Sequence, residues 1–330
     1  MSTYENLHGR RVNVVSSNPS NPKEGEVWYN STLGLLKGYV LAPATVASAG
    51  NLNTKRTQMG STGSLTAGLV FGGEIPASPY LTGATEEFDG STFSNGGTCP
   101  ATKSDMHSTG TQTAALWGGG SPSSSASYLY DGSSWTGTGA MPFSNRNTKG
   151  GGVGVQTAAL QVGGFVSPGN YSSVMCEFDG SSWTNIPQTF PNGPLTGGMA
   201  SCGTQTACLS TGGPPSSTNS QSWDGSSWTT AGSLSIGRSA HNQQGTVSAA
   251  NAIAGHPASP GSYSTEILTW DGSTWSTTSS TLSTGRAQAG GFGAAAAAGV
   301  AGGAGGNPTP ENTSEIFTDA AVATKTLTTS

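Results

Sequence analysis

The phrase WDGSSW, Trp223–Trp228, decides the reading of this chain. It has four close copies: EFDGSTF at Glu87–Phe93, YDGSSW at Tyr130–Trp135, FDGSSW at Phe178–Trp183 and WDGSTW at Trp270–Trp275. Their aspartates, Asp89, Asp131, Asp179, Asp224 and Asp271, are separated by 42, 48, 45 and 47 residues. A decayed copy, EIFTDA at Glu315–Ala320, falls where the next is due. Asp-Gly between aromatics is a hairpin-turn signal, because both residues tolerate the positive φ that primed turns demand. The flanking aromatics then pair across the hairpin or pack between adjacent sheets.

Two further markers keep the same period. Glycine pairs stand at Gly72–Gly73, Gly118–Gly119, Gly163–Gly164, Gly212–Gly213 and Gly302–Gly303, with Gly255–His256 as a reduced copy. Each follows a small, apolar run such as AGLVF or TAALW, which reads as a short buried strand. Each unit begins with a basic residue, Arg56, Lys103, Arg146, Arg238 or Arg286, and Pro194 takes that place in the fourth unit. Residues 55–330 number 276, which is six units of 46. Four short strands per unit is the economy of a propeller blade. One blade cannot bury both its faces, but a closed set of blades can. The expected fold is therefore all-β: a six-bladed β-propeller over 55–330, preceded by a separate segment, 1–54.

Composition agrees. Charged residues are 9% and hydrophobic residues 33% of the 330, with 51 glycines and eight tryptophans. Gly, Ala, Ser and Thr fit strands that converge on an axis, and the large aromatics fill the wider gaps further out. Twelve Lys and Arg against 17 Asp and Glu cannot coat a phosphate track, so no nucleic-acid partner is expected. The small-residue stretch Ala294–Ala301 is far short of the roughly 20 apolar residues of a membrane span. MSTYENLHGRR has no apolar h-region, so no Sec-type signal is expected.

A glycine doublet, then an aromatic-Asp pair, then Trp a few residues on, resembles the kelch repeat, and MPFSNR at Met141–Arg146 is similar to the kelch segment that leads into the next blade. The resemblance covers about five-sixths of the chain. Trp223–Asp224 and Trp270–Asp271 supply the dipeptide of WD repeats, but the other units read FD or YD. Sialidase-type Asp boxes place a residue between Asp and Gly, and here the two are adjacent. The segment NPKEGEVWYNSTLGLLKGYV, Asn21–Val40, resembles N-terminal segments of structural proteins of tailed phages, particularly marine ones. That resemblance implies a virion protein assembled in the host cytoplasm. From the residues, Val27–Tyr39 reads as a hairpin that packs on the last blade, adds a strand to it, or contacts a partner through Trp28, Tyr29, Leu35, Leu36 and Tyr39.

The catalytic inventory is poor. There is no G-x-S-x-G, H-E-x-x-H or P-loop phrase, and no cofactor is expected. Of the four histidines, His107 and His241 occupy matching places in units two and five, on opposite blades, so no shared metal is expected. Nothing matches the His, Tyr and Tyr–Cys copper site of galactose oxidase, a kelch-type enzyme. The repeated aspartates read as turn formers rather than calcium ligands. Cys99, Cys176, Cys202 and Cys208 read as small buried side chains, with a Cys202–Cys208 disulfide as the alternative.

Arg56, Lys103, Arg146, Arg238 and Arg286 share one blade position. They read either as bridges between carbonyls of neighbouring blades or as an axial basic ring that docks an anion or glycan. The functional expectation is a non-enzymatic virion component of tail, fibre or decoration layer. Its expected partners are other virion proteins, further copies of itself, and a host glycan or receptor. The rival expectations are a bacterial extracellular or periplasmic glycan-binding propeller and, less well matched, a galactose-oxidase-like enzyme.

Overall fold

The computed structural model describes residues 12–20, 22–146, 152–166, 170–191, 198–257, 263–305 and 310–327, and among them there is no helix. Pro194 lies outside the described residues. The chain divides into two compact units, one formed by Met1–Thr45 with Asp319–Ser330 and the other by Val46–Thr318.

In the larger unit each DGS[ST] phrase closes on itself. Asp89 Oδ1 accepts from the backbone N–H of Ser91 and of Thr92, both at 2.8 Å, and from the Ser91 hydroxyl at 2.9 Å. The same bonds recur at Asp131, Asp179, Asp224 and Asp271. These donors hold the Asp89 carboxyl down at about 2, and the other four lower still. Gly90 has φ 101°, in the region where glycine alone rests without strain. The flanking aromatics meet across each hairpin, with ring centroids 4.8 Å apart for Phe88–Phe93, 4.9 Å for Tyr130–Trp135 and 5.4 Å for Trp270–Trp275.

Each turn joins the third and fourth strands of a blade-like sheet. Sheet I runs Gly60–Ser64, Ala67–Phe71, Thr85–Phe88 and Phe93–Asn95, antiparallel throughout. Sheets II to V repeat this plan, with first strands His107–Thr111, Gly152–Val155, Met199–Thr204 and Asn242–Gly245. Sheet III gains a short extra strand, Asn145–Arg146. Sheet VI contains Gly290–Ala294, Ala297–Ala301 and Ser314–Thr318, and its fourth strand is Thr45–Ala49, from the far end of the sequence.

That explains the decayed sixth phrase. The third strand of sheet VI never turns back, so EIFTDA has no hairpin to make. The segment that completes sheet VI is Thr45–Ala49 and not the Val27–Tyr39 hairpin. Around it the Ser314 hydroxyl donates to Gly50 O, and Leu52 N donates to Asn312 O at 2.8 Å.

The first strands pack side by side, I on II, II on III, and onward to VI, and VI on I. Just before five of them the backbone enters the left-handed region, at Gln58, Asp105, Gly198, Ala240 and Gln288. Here four sheets each donate to the one before: Ala240 N to Gly198 O, Gln288 N to Ala240 O, Gln58 N to Gln288 O and Asp105 N to Gln58 O. Glutamines at the tips of the inner hairpins add further ties. Gln112 Nε2 donates to Gly68 O and Phe88 O of sheet I, and Gln156 and Gln205 reach back to sheets II and III in the same way. The core lies between sheets. Phe71 of sheet I, for example, meets Trp117 and Trp135 of sheet II at 5.7 and 4.8 Å.

In the smaller unit the order is Asn13–Val15, Val27–Asn30, Leu35–Ala42, Ala321–Thr326. The expected hairpin is present, with Tyr29 opposite Leu36, and the last strand of the chain pairs with it.

Candidate functional site

The first strands of sheets I to VI surround a cavity of about 100 Å³, lined by Ser61, Ser108, Gly152, Ser201, Gln244 and Gly291 among others. A second cavity of about 170 Å³ shares most of these residues. Among the described residues the lining carries hydroxyls, amides and bare backbone, with Met59, Met106, His241, Cys202 and Phe292 beside them, and no Lys, Arg, Asp or Glu. Such a surface offers hydrogen bonds to neutral groups and no counter-charge to an ion.

Of the five residues expected to form an axial basic ring, Arg56, Arg238 and Arg286 are internal. Arg56 is fully buried and pairs with Glu86 at 2.5 Å, while its Nη1 donates to Gly72 O and Ala84 O of its own sheet. Arg286 is likewise buried and pairs with Glu315 at 2.9 Å. Arg238 is buried and lies 3.5 Å from Glu266, a half-exposed carboxylate. The carbonyls that these three arginines bridge belong to one sheet each, not to neighbouring sheets. Lys103 donates to Pro122 O at 2.9 Å. Arg146 lies on the extra strand of sheet III, and its side chain lies outside the described residues. Burial closes the Arg56, Arg238 and Arg286 guanidiniums off from a ligand in solvent, although the Nε of each has no partner among the described residues.

His107 and His241 are internal. His107 Nδ1 donates to Gln161 Oε1 at 2.7 Å, since the Gln161 amide N–H groups are used on Val162 O and Gly163 O. Thr211 donates its only proton to Gln243 Oε1, so at 3.0 Å it accepts from His241 Nε2. Burial pulls His107 down to about 4, and burial together with Arg238 pulls His241 down to about 3. In the unfolded chain both titrate near 6.5. Over that window the folded form binds fewer protons, so stability is expected to fall as pH drops from 6.5 toward 4. Urea midpoints at pH 7 and 4.5 test this, with a smaller shift for His107→Gln. A wild-type midpoint unchanged between the two pH values would overturn it.

All four cysteines are free and buried, which settles the Cys202–Cys208 alternative against a disulfide. Cys202 lies opposite Leu209, and Cys208 lies opposite Gly203. Burial pushes the Cys99 and Cys202 thiols up to about 12. Among the described residues no three His, Cys, Asp or Glu side chains gather as a metal-binding group.

The smaller unit presents a different surface. Residues opposite one another in a sheet share a face. Val14, Tyr29 and Leu36 form such a row across three strands, Leu327 continues it just past the end of the fourth, and all four are exposed, Val14 at 68%. Val27 extends the row. Of the five residues expected there, Tyr29 and Leu36 lie on this open face. Trp28 is on the other face, fully buried, with its indole N–H on Asn18 Oδ1 at 3.2 Å. Leu35 is exposed at the strand end, and Tyr39 is half-buried. Strict alternation along Val27–Asn30 was the signal that separates Trp28 from its neighbours.

No protein-family model matches this chain, and no curated protein matches it either.

Proposed function

We propose that residues 46–318 form a closed, six-bladed, kelch-like propeller, and that the chain is a non-enzymatic structural component of a virion which assembles through its smaller unit. The cyclic packing of first strands supports closure, with VI lying on I. Thr45–Ala49 then serves as the clasp. The blade pattern DGS[ST] with its cross-strand aromatics supports the kelch-like reading.

The assembly reading is carried by one observation. The apolar row Val14–Tyr29–Leu36–Leu327 lies open on a sheet whose sequence resembles phage N-terminal segments. Contiguous exposed apolar surface marks contact sites. Other virion proteins and further copies of this chain are the proposed partners, with a host-surface glycan or receptor as the partner of the propeller.

The double variant Tyr29→Ser, Leu36→Ser tests the reading. It is expected to stay folded, with an unchanged melting temperature, and to be missing from particles or oligomers that the wild type joins. A variant that assembles as well as the wild type would sink the proposal.

A further inference from the structure

We propose that Tyr80, on the loop joining the second and third strands of sheet I, and the His256–Tyr263 pair, at the matching place in sheet V, are stacking platforms for carbohydrate. The proposal deepens the host-glycan part of the reading above and rests on it. The phrase Pro76-Ala77-Ser78-Pro79-Tyr80 in sheet I returns in sheet V as PASPGSY, Pro257–Tyr263. Both loops are closed by an equivalent bond, Thr82 N to Gly73 O and Ser264 N to Gly255 O. The backbone bonds before the first strands bring the starts of those strands together, so Tyr80 and the His256–Tyr263 pair belong to one common end.

Tyr80 is 63% exposed, and among the described side chains of residues 46–318 no other aromatic is exposed. It also sits at φ 64°, where glycine or asparagine would rest without strain. A tyrosine held there, away from the core, draws no packing energy to offset that strain, and an outlier of this kind points to a role in binding.

The loop is also fixed in place. Tyr80 N donates to Ala77 O at 2.8 Å, Ile75 N donates to Tyr80 O at 2.9 Å, and two prolines bracket the tip. A preorganised aromatic loses little freedom on binding. Tyr263 stands half-buried with its ring 4.9 Å from that of His256.

Ile75 to Gly83 contains no charged residue. The apolar face of a pyranose ring stacks on such a tyrosine, and its hydroxyls need neutral partners like Ser78. The loop's one charged residue, Glu74, stands at its base, bridged in the backbone to Thr57 and Leu81, so the stretch around Tyr80 offers a charged protein surface no counter-charge.

The test uses the full chain on immobilised mannan, dextran and lipopolysaccharide, followed by biolayer interferometry. The wild type is expected to bind at least one of them. Tyr80→Ala should weaken binding about tenfold, a typical loss for an aromatic anchor. Tyr80→Ala with Tyr263→Ala should abolish it, and Tyr29→Ser in the smaller unit should leave it unchanged. Melting curves confirm that each variant is folded.

No binding by the wild type, a double variant that binds like the wild type, or binding that survives periodate oxidation of the polysaccharide would overturn the proposal. Retention on envelope fragments that protease removes and periodate spares would assign the platforms to a protein partner and overturn it too. A chain that binds glycan but fails to enter particles strikes at the assembly reading alone.

Discussion

Trp135→Ala is expected to lower the unfolding free energy by about 3–5 kcal/mol, the range for truncating a large buried aromatic. Its ring meets Tyr130 of its own hairpin at 4.9 Å and Phe71 of sheet I at 4.8 Å, and its indole N–H donates to Thr85 Oγ1 at 2.9 Å. One side chain thus joins a turn to its own sheet and that sheet to the one before it. Trp183 is equivalent, donating to Ser127 Oγ of sheet II at 2.9 Å. Trp275 is buried too, but its indole N–H has no partner among the described residues. Trp275→Phe should therefore be milder than Trp135→Phe by about the worth of one hydrogen bond, about 1 kcal/mol. Urea unfolding followed by circular dichroism reads both comparisons. A Trp135→Ala variant as stable as the wild type would show that the sheets are not joined through this ring.

Glu86→Leu should be nearly as damaging. The Glu86 carboxylate takes Arg56 Nη2 and also the backbone N–H of Asn53 at 2.6 Å, with Thr54 at 3.2 Å. Its removal leaves the Arg56 guanidinium buried without its counter-charge, a loss of about 3–5 kcal/mol. The double variant Arg56→Met, Glu86→Leu should recover much of that loss, because the desolvation of both charges disappears with them. Glu266→Leu should cost far less, since Glu266 is half in solvent and 3.5 Å from its arginine. Equal losses for Glu86→Leu and Glu266→Leu would contradict this ranking.

The parts of the molecule that were legible in the sequence are those made by neighbours in the chain. Asp89 and its equivalents satisfy their acceptors within three residues, so the turn is written wherever DGS[ST] is written. The aromatic pairs follow, because they flank that turn. The arginine partners are further off, yet each of the two most buried carboxylates stands two residues before a core phenylalanine, Glu86 before Phe88 and Glu315 before Phe317. That spacing was the signal that would have placed Arg56 and Arg286 inside. The inner-hairpin glutamines Gln112, Gln156 and Gln205 recur in the phrase G-x-Q-T-A, which carries the inter-sheet tie without announcing it. Thr45–Ala49 was not legible. TVASA carries no turn or aromatic mark, and its partner is set by long-range packing, which local propensity does not encode. Tyr80 was likewise hidden, since exposure is a property of the folded loop and not of the letters.

The pairing of Thr45–Ala49 with Ser314–Thr318 has a consequence for biosynthesis. From Ala49 to Ser314 the ribosome must add 265 residues. At about 5–20 residues per second, this one early strand waits roughly 13 to 53 s for the strand it pairs with. Sheets I to V can form in order as they emerge, each from contiguous chain. Sheet VI cannot, and for that interval the nascent chain carries an open strand, uncharged along its whole length, beside neighbours on the same polysome that carry the same one. Slow translation or a truncated message therefore exposes this protein to strand exchange between copies, with the early strand of one chain completing the last sheet of another.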